Sequence, residues 1–148
     1  MKTLITACSF LLLLSLSLAS CKKDKSSPSD SQLIGEWQEM GLDGINRSLK
    51  FKDDQTFHFS IDDKSGDRTV ISGTYRTEGN SLEVLAQEME LHQPNQSPIR
   101  QSYQNQLYEN ATFEISKNVL TLNYTSYPAD APFPTTAKFQ RQSTEGIE

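Results

Sequence analysis

Cys21 is the residue with the most specific chemistry in this chain, because its thiol follows a secretory signal pattern. The basic Lys2 precedes an apolar run over residues 4–18, and the small residues Ala19 and Ser20 then lead into the cysteine. The run is short and contains several Ser and Thr residues, whereas a transmembrane helix needs about 20 apolar residues. The pattern therefore predicts a signal peptide. An ordinary signal peptide, in which the cysteine is incidental, is the alternative to one cleaved for modification of the thiol.

Residues 18–21, Leu-Ala-Ser-Cys, resemble the lipobox of bacterial lipoproteins, which consists of Leu, two small residues and Cys. The resemblance implies that residues 1–20 are removed, and that Cys21 receives a diacylglyceryl group and an acyl chain such as palmitate. Two or more acyl chains anchor a protein stably, at about 0.8 kcal/mol per buried CH₂ group. Lys22 differs from the Asp that retains such proteins at the inner membrane. The resemblance therefore predicts anchoring in the lipid bilayer of the outer membrane, with the folded part in the periplasm.

Residues 21–31 are predicted to be a disordered tether, because after Cys21 they contain only Lys, Asp, Ser and Pro. As a coil, ten such residues span roughly 17–19 Å. The other cysteine, Cys8, belongs to the predicted signal peptide. The mature chain is therefore expected to have no second thiol for an internal disulfide.

The folded part of the chain is acidic, which argues against a nucleic-acid partner. From Gln32 onward, 10 Lys and Arg residues stand against 17 Asp and Glu residues. Nucleic-acid binding requires clustered basic residues. The sequence also has no Gly-rich phosphate loop and no Cys-x-x-Cys pair.

Patterns typical of catalysis or metal binding are poor. His58 and His92 are the only His residues, and they fall on an outward strand position and at the start of a loop, so they do not predict a shared metal site. Asp62, Asp63 and Asp67 do not follow the spacing of an EF-hand, which makes a solvated turn the better interpretation. No nucleophile elbow is present. We expect a protein that is not an enzyme and holds no metal or cofactor.

Period-2 alternation of apolar and polar residues predicts strands almost throughout residues 32–142. The predicted strands cover residues 34–40, 47–52, 56–61, 68–77, 81–90, 103–116, 119–125 and 135–142. Eight short strands without an amphipathic helix indicate an all-β domain, either a sandwich or a barrel. Residues 143–148 are predicted to be a disordered tail.

The lengths of the connections favour an eight-stranded antiparallel up-and-down barrel. Tight turns are predicted at 53–54, 78–80 and 117–118. Longer connections are predicted at 41–46, 62–67, 91–102 and 126–134. The two kinds alternate along the chain, so in a meander the longer loops meet at one end of the barrel and the tight turns at the other. The expected shape is a barrel with an open mouth and a closed base.

Gly35-Glu36-Trp37 on the first strand resembles the Gly-x-Trp signature of the lipocalin and calycin barrels. The resemblance implies that Trp37 and a basic residue of the last strand, here Arg141, pack together at the closed base. Residues 49–57, 72–75 and 79–82 also resemble small lipocalin-like lipoproteins of Bacteroidota. The chain lacks the long helix and the disulfide of larger lipocalins, which argues against a roomy cavity.

The predicted interior is rich in aromatic side chains, and two interpretations stay open. An eight-stranded barrel either fills with side chains or holds one small ligand. Gly73 among bulky neighbours indicates either space or a bend that lets the barrel close. If a cavity exists, its predicted lining is Phe51, Phe57, Phe59, Ile71, Tyr75, Leu82, Val84, Phe113, Leu122 and Tyr124.

The function expected from these features is binding of a small apolar or amphipathic ligand at the open end of a lipid-anchored barrel. Tyr127 and Phe133 lie in a Pro-rich loop where no strand pattern explains aromatic residues. They are expected either to close over the barrel end or to contact a partner. The alternative function is therefore a solid barrel that binds an envelope protein, as an inhibitor or a scaffold, through loops 91–102 and 126–134.

Overall fold

The computed structural model describes residues 30–143, which form one short helix and nine antiparallel strands. The predicted signal peptide, Cys21 and most of the tether lie outside the described residues, as does most of the predicted tail. The elements are α1 (Asp30–Leu33), β1 (Gly35–Glu39), β2 (Ile45–Phe51), β3 (Thr56–Asp63), β4 (Arg68–Glu78), β5 (Ser81–His92), β6 (Ile99–Gln106), β7 (Glu109–Ser116), β8 (Val119–Ser126), a 3₁₀ turn (Pro128–Asp130) and β9 (Phe133–Arg141).

The strands close into an eight-stranded up-and-down barrel, as the alternation of turns and loops predicts. Each strand from β1 to β5 pairs with the next, β7 to β9 do the same, and β9 pairs with β1. β5 closes the ring by pairing with β6 along its second half and with β7 at Ser81 and Leu82. β6 and β7 thus occupy one position of the barrel. The single strand predicted over residues 103–116 is interrupted at Leu107 and Tyr108.

The prediction of a long loop over residues 91–102 is wrong. β5 continues to His92, which is opposite Arg68, and β6 already begins at Ile99, opposite Leu91. The connection between these strands is reduced to residues 93–98. The prediction missed this hairpin because seven of the eight residues of β6 are exposed, so the strand shows no alternation of apolar and polar residues even though its backbone pairs with β5.

Most of the barrel interior is filled with buried side chains. Trp37, Leu49, Phe57, Phe113, Leu120 and Leu122 all have a relative exposure of 0%. The rings of Phe51 and Tyr75 meet edge to face at 4.9 Å, and the hydroxyl of Tyr75 donates a hydrogen bond of 2.7 Å to the Lys52 carbonyl. The inward alternation predicted from the sequence is therefore a packed core over most of its length.

The helix α1 covers the closed end of the barrel. Leu33 of this helix is fully buried, and its carbonyl accepts a hydrogen bond of 2.8 Å from Nε1 of Trp37. The helix includes Asp30 and Ser31, the last two residues of the predicted tether. In the described part of the chain, no helix is both long and apolar enough to cross a membrane.

Candidate functional site

Trp37 and Arg141 lie against each other at the base of the barrel. The two residues are opposite each other on β1 and β9, and Cζ of Arg141 is 4.1 Å from the centroid of the Trp37 ring. Nη1 of Arg141 donates a hydrogen bond of 2.9 Å to the Ile34 carbonyl, and Nη2 donates one to the Gln32 carbonyl. Arg141 therefore ties the last strand to the segment that enters the barrel, and this pair is structural.

Gly35 makes room for that arginine. Its φ is +135°, a region that residues with a side chain rarely adopt, and a Cβ at this position would lie 2.6 Å from Nη1 of Arg141. The Gly-x-Trp spacing thus has a physical reason: the Gly admits the guanidinium and the Trp supplies the ring on which it stacks.

The opposite half of the barrel contains a cavity of about 240 Å³ beneath the mouth. Its walls come from β1, β2, β3, β8, β9 and the interruption between β6 and β7. The lining residues are Glu39, Arg47, Phe59, Ile61, Leu107, Tyr108, Tyr124, Ala137 and Phe139. Five of the nine lining residues are apolar (Phe, Ile, Leu or Ala), while an acid, a base and two tyrosines supply polar groups, so the cavity is amphipathic.

A charged pair lies inside this cavity. Nη1 of Arg47 is 3.6 Å from Oε2 of Glu39; the side chain of Glu39 is 13% exposed and that of Arg47 is 38% exposed. This separation exceeds the 2.7–2.9 Å typical of a charge-assisted hydrogen bond. Among residues 30–143, Nε of Arg47 is buried without any hydrogen-bond partner. The guanidinium therefore has donor capacity that Glu39 does not satisfy.

Two tyrosines complete the polar part of the cavity. The rings of Tyr108 and Tyr124 meet edge to face at 4.9 Å, a favourable geometry for aromatic pairs. Tyr108 is buried, whereas Tyr124 is partly exposed. Both rings thus form wall area near the charged pair.

Burial controls the ionisation of these groups. Loss of solvent raises the pKa of Glu39 above its ordinary value, although the positive charge of the nearby Arg47 opposes the shift. Burial is also the main reason that the pKa of Tyr108 and the pKa of Tyr124 are raised, with the negative charge of Glu39 acting in the same direction. Arg47 remains a cation at any relevant pH. The cavity therefore holds a permanent positive charge beside a carboxyl group that ionises reluctantly.

The sequence analysis did not identify Glu39 and Arg47, although strand alternation contains the signal. Glu39 is in phase with the buried Trp37 on β1, and Arg47 is in phase with the buried Leu49 on β2. Extending each inward face by one step places both charged residues inside the barrel. Tyr108 had no such signal, because it lies in the interruption between β6 and β7.

The structure places the residues of the predicted cavity lining in two groups. Phe59 and Tyr124 line the cavity. The other predicted residues are buried in the barrel core and do not line it. These residues are Phe51, Phe57, Ile71, Tyr75, Leu82, Val84, Phe113 and Leu122.

Tyr127 and Phe133 stand at the mouth without closing it. Their relative exposures are 50% and 59%. Met40 and Leu42, which follow β1, and Ile45, the first residue of β2, are also exposed. The rim of the mouth therefore presents apolar side chains to solvent on the side formed by the β1–β2 and β8–β9 connections.

The other polar clusters form ordinary turns. Oδ1 of Asp63 accepts hydrogen bonds from the Ser65 amide at 2.8 Å, from the Ser65 hydroxyl at 2.6 Å and from the Asp67 amide at 3.1 Å. Nε2 of His92 is 3.2 Å from Glu90. Within residues 30–143, no group of three or more His, Cys, Asp or Glu side chains is arranged to hold a metal ion.

Comparisons of the chain with protein-family models, with curated proteins and with solved structures give no match.

Proposed function

We propose that this protein is a lipid-anchored barrel whose mouth cavity binds one end of a small amphipathic molecule. The observation that carries the proposal is the Glu39–Arg47 pair inside an otherwise apolar cavity. The apolar lining suits a hydrocarbon or aromatic group, and the charged pair suits a polar group attached to it.

Stability alone does not account for this pair. The Glu39 carboxylate is largely removed from water, and a loose contact with the partly exposed Arg47 returns little of that cost. A buried donor without a partner, such as Nε of Arg47, costs a further ~1–3 kcal/mol. A hydrophobic pair at positions 39 and 47 would continue the packed core of the barrel. The presence of two charged residues at positions 39 and 47 therefore supports a binding role for the cavity.

The size of the cavity limits what it holds. An apolar protein cavity of about 150 Å³ accepts benzene, whereas pockets for drug-sized ligands have about 300–1,000 Å³. The cavity of about 240 Å³ lies between these values. It therefore suits a small molecule, or one end of a longer molecule that continues out through the mouth.

The proposed lipid anchor at Cys21 determines how the cavity is oriented relative to the membrane. α1 and the start of β1 lie at the base, so a tether from Cys21 reaches the barrel at the end remote from the cavity. The mouth is therefore presented away from the membrane that holds the lipid, toward molecules in the surrounding compartment.

Native mass spectrometry of the protein purified from its own envelope tests the proposal. A bound small molecule that is released on unfolding supports it and identifies the ligand class. A mass of the bare lipoprotein contradicts it when a displacement screen with fluorescent amphiphiles also finds no binding to the folded protein.

A second function is supported by the exposed apolar rim. Tyr127 and Phe133, together with Met40 on the adjacent connection, form a surface of the kind that protein partners bury. Chains carrying Tyr127→Ser and Phe133→Ser test this function in pull-downs from envelope membranes. Loss of one specific partner, with ligand binding retained, favours the protein-binding role.

A further inference from the structure

We propose that the ligand of the mouth cavity is an amphipathic anion, and that its carboxylate or similar oxyanion binds Arg47 in exchange for Glu39. This inference rests on the proposed function, because it concerns the same cavity and specifies the chemical class that the cavity selects.

The position of Glu39 indicates where an oxyanion is held. Its carboxylate already faces Arg47, but at 3.6 Å it lies beyond direct hydrogen-bond distance, and Nε of Arg47 lacks a partner within the described residues. A guanidinium binds a carboxylate best through two parallel N–H donors. The oxyanion of a ligand is not attached to a strand, so it can approach Arg47 and accept hydrogen bonds from two N–H donors. Glu39 is fixed on β1 and does not make this contact.

The two charges of the cavity are not equivalent, and the difference favours anions over cations. Arg47 keeps its charge, whereas the carboxyl group of Glu39 takes up a proton more readily than an exposed carboxyl because burial raises its pKa. When Glu39 is protonated, the cavity carries one positive charge. A ligand carboxylate then restores neutrality inside the barrel.

The exchange links binding to one proton. The ligand oxyanion displaces the Glu39 carboxylate from Arg47, Glu39 gains a proton from solvent, and no covalent bond changes. Besides Arg47 on β2, the groups that face Glu39 across the cavity are Tyr108, Tyr124 on β8 and the apolar side chains of β3 and β9. Both tyrosines stay neutral, since their pKa values are raised. Affinity for an anion should therefore rise as the pH falls toward the pKa of Glu39.

Octanoate and 1-octanol are suitable probes, because they share an apolar chain and differ in charge. The chain carrying Cys21→Ser is used, so that no acyl group competes for the cavity, and binding is measured by calorimetry and by NMR shift changes of cavity residues. We expect octanoate to bind about ten- to a hundredfold more tightly than octanol, as for a hydrogen bond to a charged group. Arg47→Met should remove that difference between the two probes.

Glu39→Gln provides an independent variant that retains Arg47. It imitates the protonated carboxyl group, so octanoate should bind more tightly than to the parent chain at neutral pH and with little dependence on pH. The matched control is Arg76→Met, which removes an exposed arginine on the outside of β4 and should leave the binding of both probes unchanged.

The outcomes separate the two proposals. If octanol binds as tightly as octanoate, or if Arg47→Met leaves octanoate binding unchanged, the anion inference is overturned and ligand binding by the cavity stands. If neither probe nor any longer homologue shifts a cavity resonance of the folded protein, the proposed function fails, and the inference fails with it.

Discussion

A Cβ atom on Gly73 would lie 2.0 Å from the carbonyl oxygen of Leu85 on the neighbouring strand. The register between β4 and β5 shifts at this point, because Ser72 is opposite Glu88 whereas Gly73 is opposite Ala86. Such a bulge bends the strand and increases its twist. Of the two interpretations that the sequence left open for this glycine, the close backbone contact supports the bend that lets the barrel close.

Gly73→Ala should reduce the free energy of unfolding by about 3 kcal/mol or more, at or above the upper end of what overpacking in a core usually costs. The methyl group meets a backbone oxygen that cannot rotate away, so either the bulge or the closure of the barrel must yield. Urea denaturation measures the effect. Gly79→Ala is the matched control, because no atom lies within 4 Å of its Cβ position and its φ of +62° costs about 1–2 kcal/mol. Equal losses in the two variants would contradict the steric argument.

Trp37→Ala should destabilise the protein by about 3–5 kcal/mol, the range for removal of a large buried aromatic side chain. The substitution leaves a cavity at the base, removes the ring under Arg141 and removes the hydrogen bond to the Leu33 carbonyl. Tyr127→Ala, which truncates an exposed ring at the other end, should change stability by less than about 0.5 kcal/mol. A near-neutral result for Trp37→Ala in the same denaturation series would mean that the base does not hold the barrel closed.

The barrel itself could be predicted from the sequence because one face of most strands is apolar. On β5, Leu82 and Val84 alternate with more exposed residues, and on β8, Leu120 and Leu122 do the same. Burial of one face fixes both the strand and its register. The sequence did not predict the first part of β6, because its side chains show almost no alternation of apolar and polar residues. Backbone pairing with β5 holds this strand in place instead.

The candidate site was harder to predict, because it depends on inward positions that are not apolar. Hydrophobic periodicity identifies the interior by its apolar residues, so a charged residue at the end of an inward face is taken for the start of a loop. Glu39 and Arg47 occupy such positions. Whether inward aromatics form a core or line a cavity depends on how side chains from different strands interlock, and strand alternation does not contain that information.

Cys21→Ser should release the protein from the membrane without unfolding the barrel. No residue of the described barrel depends on the cysteine, and two or more acyl chains supply the proposed membrane affinity. Fractionation of envelopes should move the variant from the membrane pellet to the soluble fraction, while circular dichroism retains its β-sheet spectrum. Ser20→Ala, which keeps a small residue before the cysteine, is the matched control and should remain membrane-bound. Continued attachment of the Cys21→Ser chain would contradict the lipobox interpretation.

Glu39 should make the barrel less stable as the pH rises. Because burial raises its pKa in the folded state above the ordinary value of 4.5, its favourable contribution is complete below that value. The contribution is lost as the pH rises through the raised pKa, since the folded state must then ionise a carboxyl group that it solvates poorly. The free energy of unfolding, measured in urea between pH 4 and 8, should therefore fall relative to that of Glu39→Gln, and the difference should level off above the pKa.

Asp54 provides a control of opposite sign. The hydroxyl and the amide of Thr56 donate hydrogen bonds to its carboxylate and lower its pKa, so its contribution is present above the ordinary value of 3.8 and is lost as the pH falls through the lowered pKa. Asp54→Asn should flatten the loss of stability in acid and leave the effect of Glu39 intact. If the stability of the parent chain and of Glu39→Gln changed in parallel across the whole range, the carboxyl group of Glu39 would not be held in a poorly solvated cavity. The proton-linked exchange with Arg47 would then lose its physical basis.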